Sequence, residues 1–157
     1  IDGDDYFYLD KEKFEKDIKD GKFLEYAEVH GNMYGTPKDF VMNGIDNGEI
    51  IVLEIDVQGA LQVKKNYPNG VFVFLLPPSL SELERRLTHR GTESDEQIEL
   101  RLNNAKAEIS KINEYQYAVF NDTVENAVKN IEHIIAAEKL RVINNDSLEY
   151  YLKEEIK

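Results

Sequence analysis

The spacing of apolar residues changes near residue 48, and the two parts of the chain show different patterns. Before that point the apolar runs are short and irregular, which is typical of a small mixed-β lobe. The elements predicted there are a strand at 6–9, a helix capped by Asp10 and ended by Gly21, a strand at 23–30, a turn at Gly31-Asn32, a brief strand at 33–34, and a helix from Thr36-Pro37 to about residue 47.

From residue 50 onward, apolar strands alternate with amphipathic helices, which is the pattern of a parallel α/β sheet. The predicted strands are 50–56, 71–76 and 117–120. The pairs Ser79 with Glu82 and Ser94 with Gln97 have the spacing of capping boxes, and each predicts the start of a helix. Two more helices are predicted, one with an apolar face made of Val124, Ala127, Val128, Ile131 and Ile135, and a short one within 144–157.

The predicted strand at 50–56 joins an apolar run to two carboxylates near its end, Glu54 and Asp56. A run this apolar is expected to be buried, so both acids are expected at an edge of the sheet. In open α/β sheets ligands bind beyond the carboxyl ends of the strands. An acid there can accept hydrogen bonds from a ligand or orient a metal-bound water. The alternative is that these acids cap the helix that follows.

The composition restricts the class of protein. The 157 residues are 41% hydrophobic and 32% charged, which fits one globular domain with a substantial core. Because the chain contains no cysteine, disulfides and thiolate chemistry are excluded. The three histidines are scattered and lack the spacing of a zinc site, so no zinc site is expected and no metal-ligating residue is assigned.

The charge of the chain also excludes partners. A net charge of −12 argues against a protein that holds nucleic acid by its overall field, so any phosphate site must be local. No segment approaches about 20 consecutive apolar residues, and no basic flank precedes an apolar centre. We therefore expect a cytoplasmic protein that binds no membrane.

Four arginines are concentrated in the two helices and the loop between them that follow the strand at 71–76. Guanidinium groups match phosphate oxygens in a bidentate fork, so such a cluster could close over a polyphosphate. The alternative is pairing with Glu82, Glu99 and their neighbours on solvated helix faces. The four residues are Arg85, Arg86, Arg90 and Arg101.

A second group combines Glu25, Tyr34 and Thr36 from the small lobe with Asp56. Two carboxylates and a hydroxyl suit a guanine base, which donates from its ring N–H and its amino group. Adenine inverts part of that pattern and would leave the acids unpaired. The Tyr6 and Tyr34 hydroxyls could reach a phosphate, although both rings could instead pack on the small sheet.

The pair Asn121-Asp122 gives the weakest local signal. Asp122 together with Glu125 forms a sufficient N-cap for the helix that follows, so a capping role is the first interpretation of this pair.

Several motifs together, in this order and spacing, resemble the guanylate kinase family over Ile1 to about Lys139. The resemblance implies a P-loop fold of the nucleoside monophosphate kinase type: a parallel sheet core flanked by helices, a small mixed-β lobe that binds GMP, and a helical lid. It also implies the reaction ATP + GMP giving ADP + GDP with Mg²⁺. The motifs are Gly3-Asp4-Asp5-Tyr6-Phe7, residues 23–29, Gly31-Asn32-Met33-Tyr34-Gly35-Thr36-Pro37, residues 53–60, Pro77-Pro78-Ser79, Arg90-Gly91-Thr92 and Asn121-Asp122.

Residue by residue, the resemblance implies a lobe at about 1–47, a core at 48–143 with its lid at about 85–101, and an extension at 144–157. Glu25, Thr36 and Asp56 would bind the guanine, and Tyr6 and Tyr34 the GMP phosphate. The resemblance further implies that Asp4 belongs to the GMP site, Glu54 lies near the Mg²⁺ and ribose, Arg90 and Arg101 are catalytic lid arginines, and Asn121 and Asp122 contact the adenine of ATP.

The chain departs from the family pattern in one major respect, since it contains no Gly-x4-Gly-Lys-Ser/Thr phosphate-binding loop. The chain also starts with Ile1 inside a motif, so we expect that a strand, a P-loop and a helix are missing upstream. Two other functions stay open. One is a non-catalytic guanylate-kinase-like module that binds partner proteins, and the other is a related kinase that acts on another monophosphate.

Overall fold

The computed structural model describes residues 8–29, 31–89, 94–144, 148 and 151–153. The chain divides into two compact units, residues 1–72 and residues 73–157. Among the described residues, the helices are too short or too polar to cross a membrane.

The first unit combines three helices with a two-stranded sheet. Its elements are α1 (Lys11–Lys19), β1 (Phe23–Val29), β2 (Asn32–Pro37), α2 (Lys38–Asp46) and α3 (Val57–Asn66). The predicted start of α1 is confirmed, because the Asp10 carboxylate accepts a hydrogen bond from the Lys13 N–H at 2.7 Å. Gly21 follows the helix with φ +69°, a left-handed conformation that glycine adopts at low cost.

Strands β1 and β2 form an antiparallel hairpin, and β2 is longer than the brief strand that the sequence predicts. The register pairs Glu25 with Thr36 and shifts between Phe23 and Glu25, which marks a bulge at Leu24. The Leu24 side chain is only 1% exposed. Nearby, the Phe23 ring stacks on Phe14 of α1 with centroids 4.5 Å apart, so α1 and the hairpin share a core.

Two predicted strands are wrong in the described part of the chain. Tyr8 and Leu9 belong to no strand, and neither does any residue of 50–56. In the latter segment Ile50 is 52% exposed and Val52 is 75% exposed, so its expected burial is also wrong. The physical reason is that an apolar run is buried only where another element covers it, and the described residues give this segment no strand partner.

The second unit is built on a parallel strand pair. Its elements are β3 (Val73–Leu76), α4 (Leu80–His89), α5 (Asp95–Ile109), β4 (Tyr117–Phe120) and α6 (Val124–Lys139), with short 3₁₀ turns at Ile112–Glu114 and Val142–Asn144. Strands β3 and β4 pair in parallel with Val73 opposite Tyr117. The predicted α/β class with parallel strands is therefore confirmed, although β3 begins two residues later than expected.

The helix caps of this unit test the predicted capping boxes. At α5 both bonds between Ser94 and Gln97 are present, so that box is confirmed. At α4 only the Ser79 hydroxyl accepts its bond, from the Glu82 N–H at 3.1 Å. The Glu82 carboxylate instead accepts bonds from the arginines of α4, because a guanidinium offers it stronger, charge-assisted bonds.

Helix α6 differs from its prediction in two ways. Its N-cap is Thr123, whose hydroxyl accepts from the Asn126 N–H at 3.2 Å, so the predicted cap at Asp122 is one residue early. Ala127 is buried as predicted, but Val124 and Val128 are 69% and 48% exposed. Only a stripe about 100° wide on a helix surface packs against the neighbouring elements. Val124 and Val128 lie outside the stripe that is covered here.

A buried carboxylate joins the end of α6 to the start of β4. Glu138 is 7% exposed, and its Oε1 accepts from the Tyr117 hydroxyl at 2.6 Å. Its Oε2 accepts from Arg141 Nη1 at 3.0 Å. The Tyr117 hydrogen bond is the largest influence on Glu138 and lowers its pKa; burial opposes this shift, and Arg141 adds to it. The same hydrogen bond raises the pKa of Tyr117. The cluster therefore favours charged Glu138 and neutral Tyr117.

We expect Tyr117→Phe to weaken the acid-side pH dependence of folding. A carboxyl whose folded pKa is lowered contributes stability above its unfolded pKa, near 4.5, and this contribution is lost as the pH falls through the folded value. Urea unfolding of the wild type should lose stability between pH 5 and pH 3, and Tyr117→Phe should reduce that loss. Tyr151→Phe, at a ring that is 55% exposed, is the control. Equal pH dependence in wild type and Tyr117→Phe would contradict the assignment.

Candidate active site

Glu25 and Thr36 form a cross-strand pair on the hairpin. They lie opposite each other in the register of β1 and β2, and the Thr36 hydroxyl donates to Glu25 Oε1 at 2.5 Å. Both side chains are half-buried. The hydrogen of the Thr36 hydroxyl is directed to Glu25, so the hydroxyl oxygen keeps lone pairs that can accept from a ligand. Two groups predicted to bind one base are therefore in direct contact.

Asp56 lies next to this pair through the first turn of α3. Its Oδ1 accepts from the Gly59 N–H at 2.8 Å and so caps the helix, as the capping alternative expected. A Cβ on Gly59 would lie 3.3 Å from Glu25 Oε2 and 3.5 Å from Asp56 Oδ1. Both carboxylates therefore border the same point beside Gly59. Because Asp56 is exposed, the expectation of a buried acid at this position is wrong, although capping leaves its second oxygen available.

Tyr34 and Glu54 occupy exposed positions of the same unit. Tyr34 lies two residues before Thr36 on β2 and is 45% exposed. Since side chains two apart on a strand point to the same face, Tyr34, Thr36 and Glu25 share one face of the hairpin. Glu54 lies two residues before Asp56 and is exposed, not buried in a strand as predicted. Three other predicted site residues, Asp4, Tyr6 and Arg90, lie outside the described residues.

The arginines of α4 pair with a carboxylate on their own helix. Arg85 donates two bonds to Glu82 at 2.7 and 2.8 Å, and Arg86 Nε donates to the same group at 2.7 Å. The bonds from Arg85 and then from Arg86 lower the pKa of Glu82 to about 2. The alternative interpretation, pairing along a helix face, is thus confirmed for these two arginines. Arg101 lies exposed on α5, in the second turn of that helix.

Asn121 and Asp122 form the link between β4 and α6. The Asn121 N–H donates to the Leu76 carbonyl at 2.6 Å and extends the pairing of β3 with β4. Arg86 Nη1 donates to the Asn121 carbonyl at 3.0 Å and Nη2 to the Asp122 carbonyl at 3.4 Å. This link to Arg86 was not predicted, since its partners are more than 30 residues apart and leave no local signal.

The Asp122 carboxylate is held by its own neighbours. It accepts from the Thr123 N–H at 2.7 Å and from Asn126 Nδ2 at 3.0 Å. These bonds, the Thr123 bond first, lower the pKa of Asp122. The link therefore presents a fixed, negatively charged group at the carboxyl end of β4, where ligands bind in open α/β sheets.

Among the residues that the structure describes, no group of three or more His, Cys, Asp or Glu side chains is placed to hold a metal ion.

Comparison with known proteins identifies the family. Residues 1–138 match the family model described as guanylate kinase. The guanylate kinase of Clostridium acetobutylicum is 53% identical over 142 residues, which cover 90% of this chain and 68% of that protein. The guanylate kinase of Caldanaerobacter subterraneus subsp. tengcongensis is 47% identical over 155 residues, covering 99% of this chain and 75% of that protein.

A solved structure gives the same result. The crystal structure of guanylate kinase from Anaplasma phagocytophilum matches with a TM-score of 0.76 and 31% identity, covering 99% of this chain and 77% of that chain. These matches define the class of protein as a nucleoside monophosphate kinase, which is a phosphotransferase. Within that class, the chain belongs to the guanylate kinase family. The resemblance found in the sequence is confirmed.

Proposed function

We propose that the protein transfers the γ-phosphoryl group of ATP to GMP, with Mg²⁺, and releases ADP and GDP. The observation that supports this proposal most directly is the arrangement of Glu25, Thr36 and Asp56: the Thr36 hydroxyl is bonded to Glu25, and the Glu25 and Asp56 carboxylates both lie beside Gly59. Family membership supports the reaction class.

The acidic groups fit guanine better than adenine. Guanine presents a ring N–H and an amino group side by side, and carboxylate oxygens accept from both. Adenine presents a ring nitrogen without hydrogen in place of that N–H, so one carboxylate would lose its partner. An unpaired, partly buried polar group is costly, which is why sites of this kind can discriminate strongly. On this basis GMP is the proposed acceptor, with Tyr34 as a candidate ligand of its phosphate.

The proposed reaction needs positioning and charge neutralisation more than covalent chemistry. An oxygen of the GMP phosphate forms a bond to the γ-phosphorus of ATP, and the bond from that phosphorus to the oxygen shared with the β-phosphate breaks. Arg101 and Arg90 are the proposed side chains that stabilise the charge on the phosphoryl oxygens. Glu54 is the proposed residue that would hold Mg²⁺, and the bound ion would neutralise further charge on the phosphates.

The adenine of ATP is proposed to lie against Asn121 and Asp122. The support is local: both residues follow β4 at its carboxyl end, and their conformation is fixed by bonds from Arg86, Thr123 and Asn126. A backbone and a carboxylate that are already fixed can form hydrogen bonds to a base with little further loss of conformational entropy.

The experiment that tests this proposal compares GMP with AMP in two assays on the protein expressed from its complete gene. Calorimetry measures the binding of each monophosphate, and a coupled assay measures diphosphate formation from ATP with and without EDTA. We expect kcat/KM to favour GMP by at least about 10³-fold and to vanish with EDTA. Equal use of AMP would overturn the substrate assignment. Binding of GMP without turnover would overturn the catalytic one and favour the interaction module.

A further inference from the structure

Helix α3 is bonded to strand β1 through two amide side chains on either side of Glu25. Gln62 Nε2 donates to the Tyr26 carbonyl at 3.0 Å, and Gln62 Oε1 accepts from the Tyr26 N–H at 3.2 Å. One turn further, Asn66 Nδ2 donates to the Leu24 carbonyl at 2.8 Å. Residues 24 and 26 are thus both held by α3, and Glu25 lies between them.

Gln62 pairs with β1 in the way that a neighbouring strand would. A strand residue offers one donor and one acceptor to its partner, and the amide of Gln62 offers the same two groups to Tyr26. The Asn66 bond meets the carbonyl of Leu24, at the bulge where the register of the hairpin shifts. The outer edge of β1 is therefore covered at these positions by side chains of a helix.

The same helix holds the second carboxylate. Asp56 caps the first turn of α3 through its bond to Gly59, while Gln62 and Asn66 lie one and two turns along. Helix α3 therefore fixes the position of Asp56 and also the position of the backbone on both sides of Glu25. Gly59 lies beside both carboxylates and has no side chain to separate them. A Cβ at this residue would lie 3.3 Å from Glu25 Oε2 and 3.3 Å from Ile55 Cβ.

We propose that α3 sets the spacing between the Glu25 and Asp56 carboxylates, with Gln62 and Asn66 as positioning residues and Gly59 as the gap that lets the carboxylates approach. This inference rests on the proposed recognition of guanine. Two carboxylates can accept from adjacent N–H groups of one base only at a narrow spacing, and a displacement of about 1 Å can cost about 10²-fold. The positioning residues themselves touch no substrate in this proposal.

The first test is Gln62→Leu, which removes both bonds and keeps the size of the side chain. We expect GMP affinity, measured by calorimetry, to fall about tenfold, AMP affinity to change less than about twofold, and kcat at saturating GMP to stay within about twofold. The matched control is Gln58→Leu, the same change at an exposed position of α3, which should leave the GMP-to-AMP ratio unchanged.

A second variant covers the case that Gln62→Leu fails to fold. Gly59→Ala places a methyl group against Glu25 Oε2, and because Ile55 Cβ cannot move easily, the carboxylate is the group that shifts. We expect the GMP-to-AMP ratio to fall about tenfold. The control is Gly70→Ala, where a Cβ meets the Phe72 ring at 3.3 Å, an equal crowding far along the chain from either carboxylate.

Hydrogen exchange of the Tyr26 amide without nucleotide separates this inference from the proposed function. Faster exchange in Gln62→Leu with an unchanged GMP-to-AMP ratio would show that α3 only stabilises β1 and would overturn the inference. If the wild type shows no preference for GMP, the proposed function fails. In that case the proposed role of α3 in guanine recognition fails too, even if hydrogen exchange still shows that Gln62 stabilises the Tyr26 amide.

Discussion

Replacing Glu25 with glutamine is expected to reduce the preference for GMP over AMP by about 10²-fold. The wild-type carboxylate accepts charge-assisted hydrogen bonds, which contribute about 1.5–3 kcal/mol each, so GMP affinity should fall about 10- to 100-fold. The amide of glutamine also carries a donor, which could meet the ring nitrogen of adenine, so AMP affinity should hold or rise. Calorimetric titration of both monophosphates measures the ratio.

The control for this variant lies on the same strand. Glu28→Gln makes the same chemical change at an exposed position of β1, three residues away, and should leave both affinities unchanged. The Thr36 hydroxyl can also donate to the amide oxygen of a glutamine, so the cross-strand bond can be kept in Glu25→Gln. Unchanged selectivity in Glu25→Gln would refute the assignment of this carboxylate to guanine recognition.

Local signals in the sequence predicted the elements that local interactions determine. Asp10 before α1 and the pair Ser94 and Gln97 before α5 each satisfy N–H groups within three residues, so the helix starts could be predicted without the rest of the fold. Strand β4 was predicted for a similar reason, since a short run of apolar and aromatic residues bounded by polar residues suits a strand.

Contacts between distant residues set the limit of prediction. The apolar run at 50–56 has the composition of a buried strand, but a strand requires a partner, and composition does not report one. For the same reason the sequence did not indicate that Gln62 and Asn66 bond to β1, since their partners lie 36 and 42 residues away. A spacing of four residues is compatible with one face of a helix, which was the available signal.

The candidate site was predicted as a set of residue types, and the structure adds its geometry. Glu25 and Thr36 face each other only because the hairpin register pairs them, and that register runs without a shift from Val29 opposite Asn32, next to the turn, to this pair. A shift of one residue would turn Glu25 to the other face of the hairpin. The sequence named both residues, but the strand predicted at 33–34 ended before Thr36 and so did not give their pairing. Their roles, and that of Asp56, stay predictions until the titrations are made.

The largest effect on turnover is expected from Arg101. This side chain lies exposed on α5, a helix whose start is fixed by a complete capping box. An arginine that stabilises the charge of a transferring phosphoryl group contributes about 10³–10⁵ in kcat. We therefore expect Arg101→Ala to lower kcat by about 10³-fold or more in the coupled assay, while the calorimetric affinity for GMP changes by less than about threefold. We expect kcat to change much more than GMP affinity because the charge on the phosphoryl group develops in the transition state and not when GMP binds.

Two further variants separate the effect of the guanidinium group of Arg101 from the effect of its positive charge alone and from the effect of the net charge of α5. Arg101→Lys keeps the positive charge but loses the planar fork that binds two phosphate oxygens, so it should recover only a small part of the lost rate. Lys106→Ala removes a positive charge from an exposed position of the same helix and should leave kcat within about twofold. If Lys106→Ala lowers kcat as much as Arg101→Ala does, then the net charge of α5 matters and no single guanidinium acts on the phosphoryl group. Equal kcat in the wild type and in Arg101→Ala would remove Arg101 from the proposed mechanism.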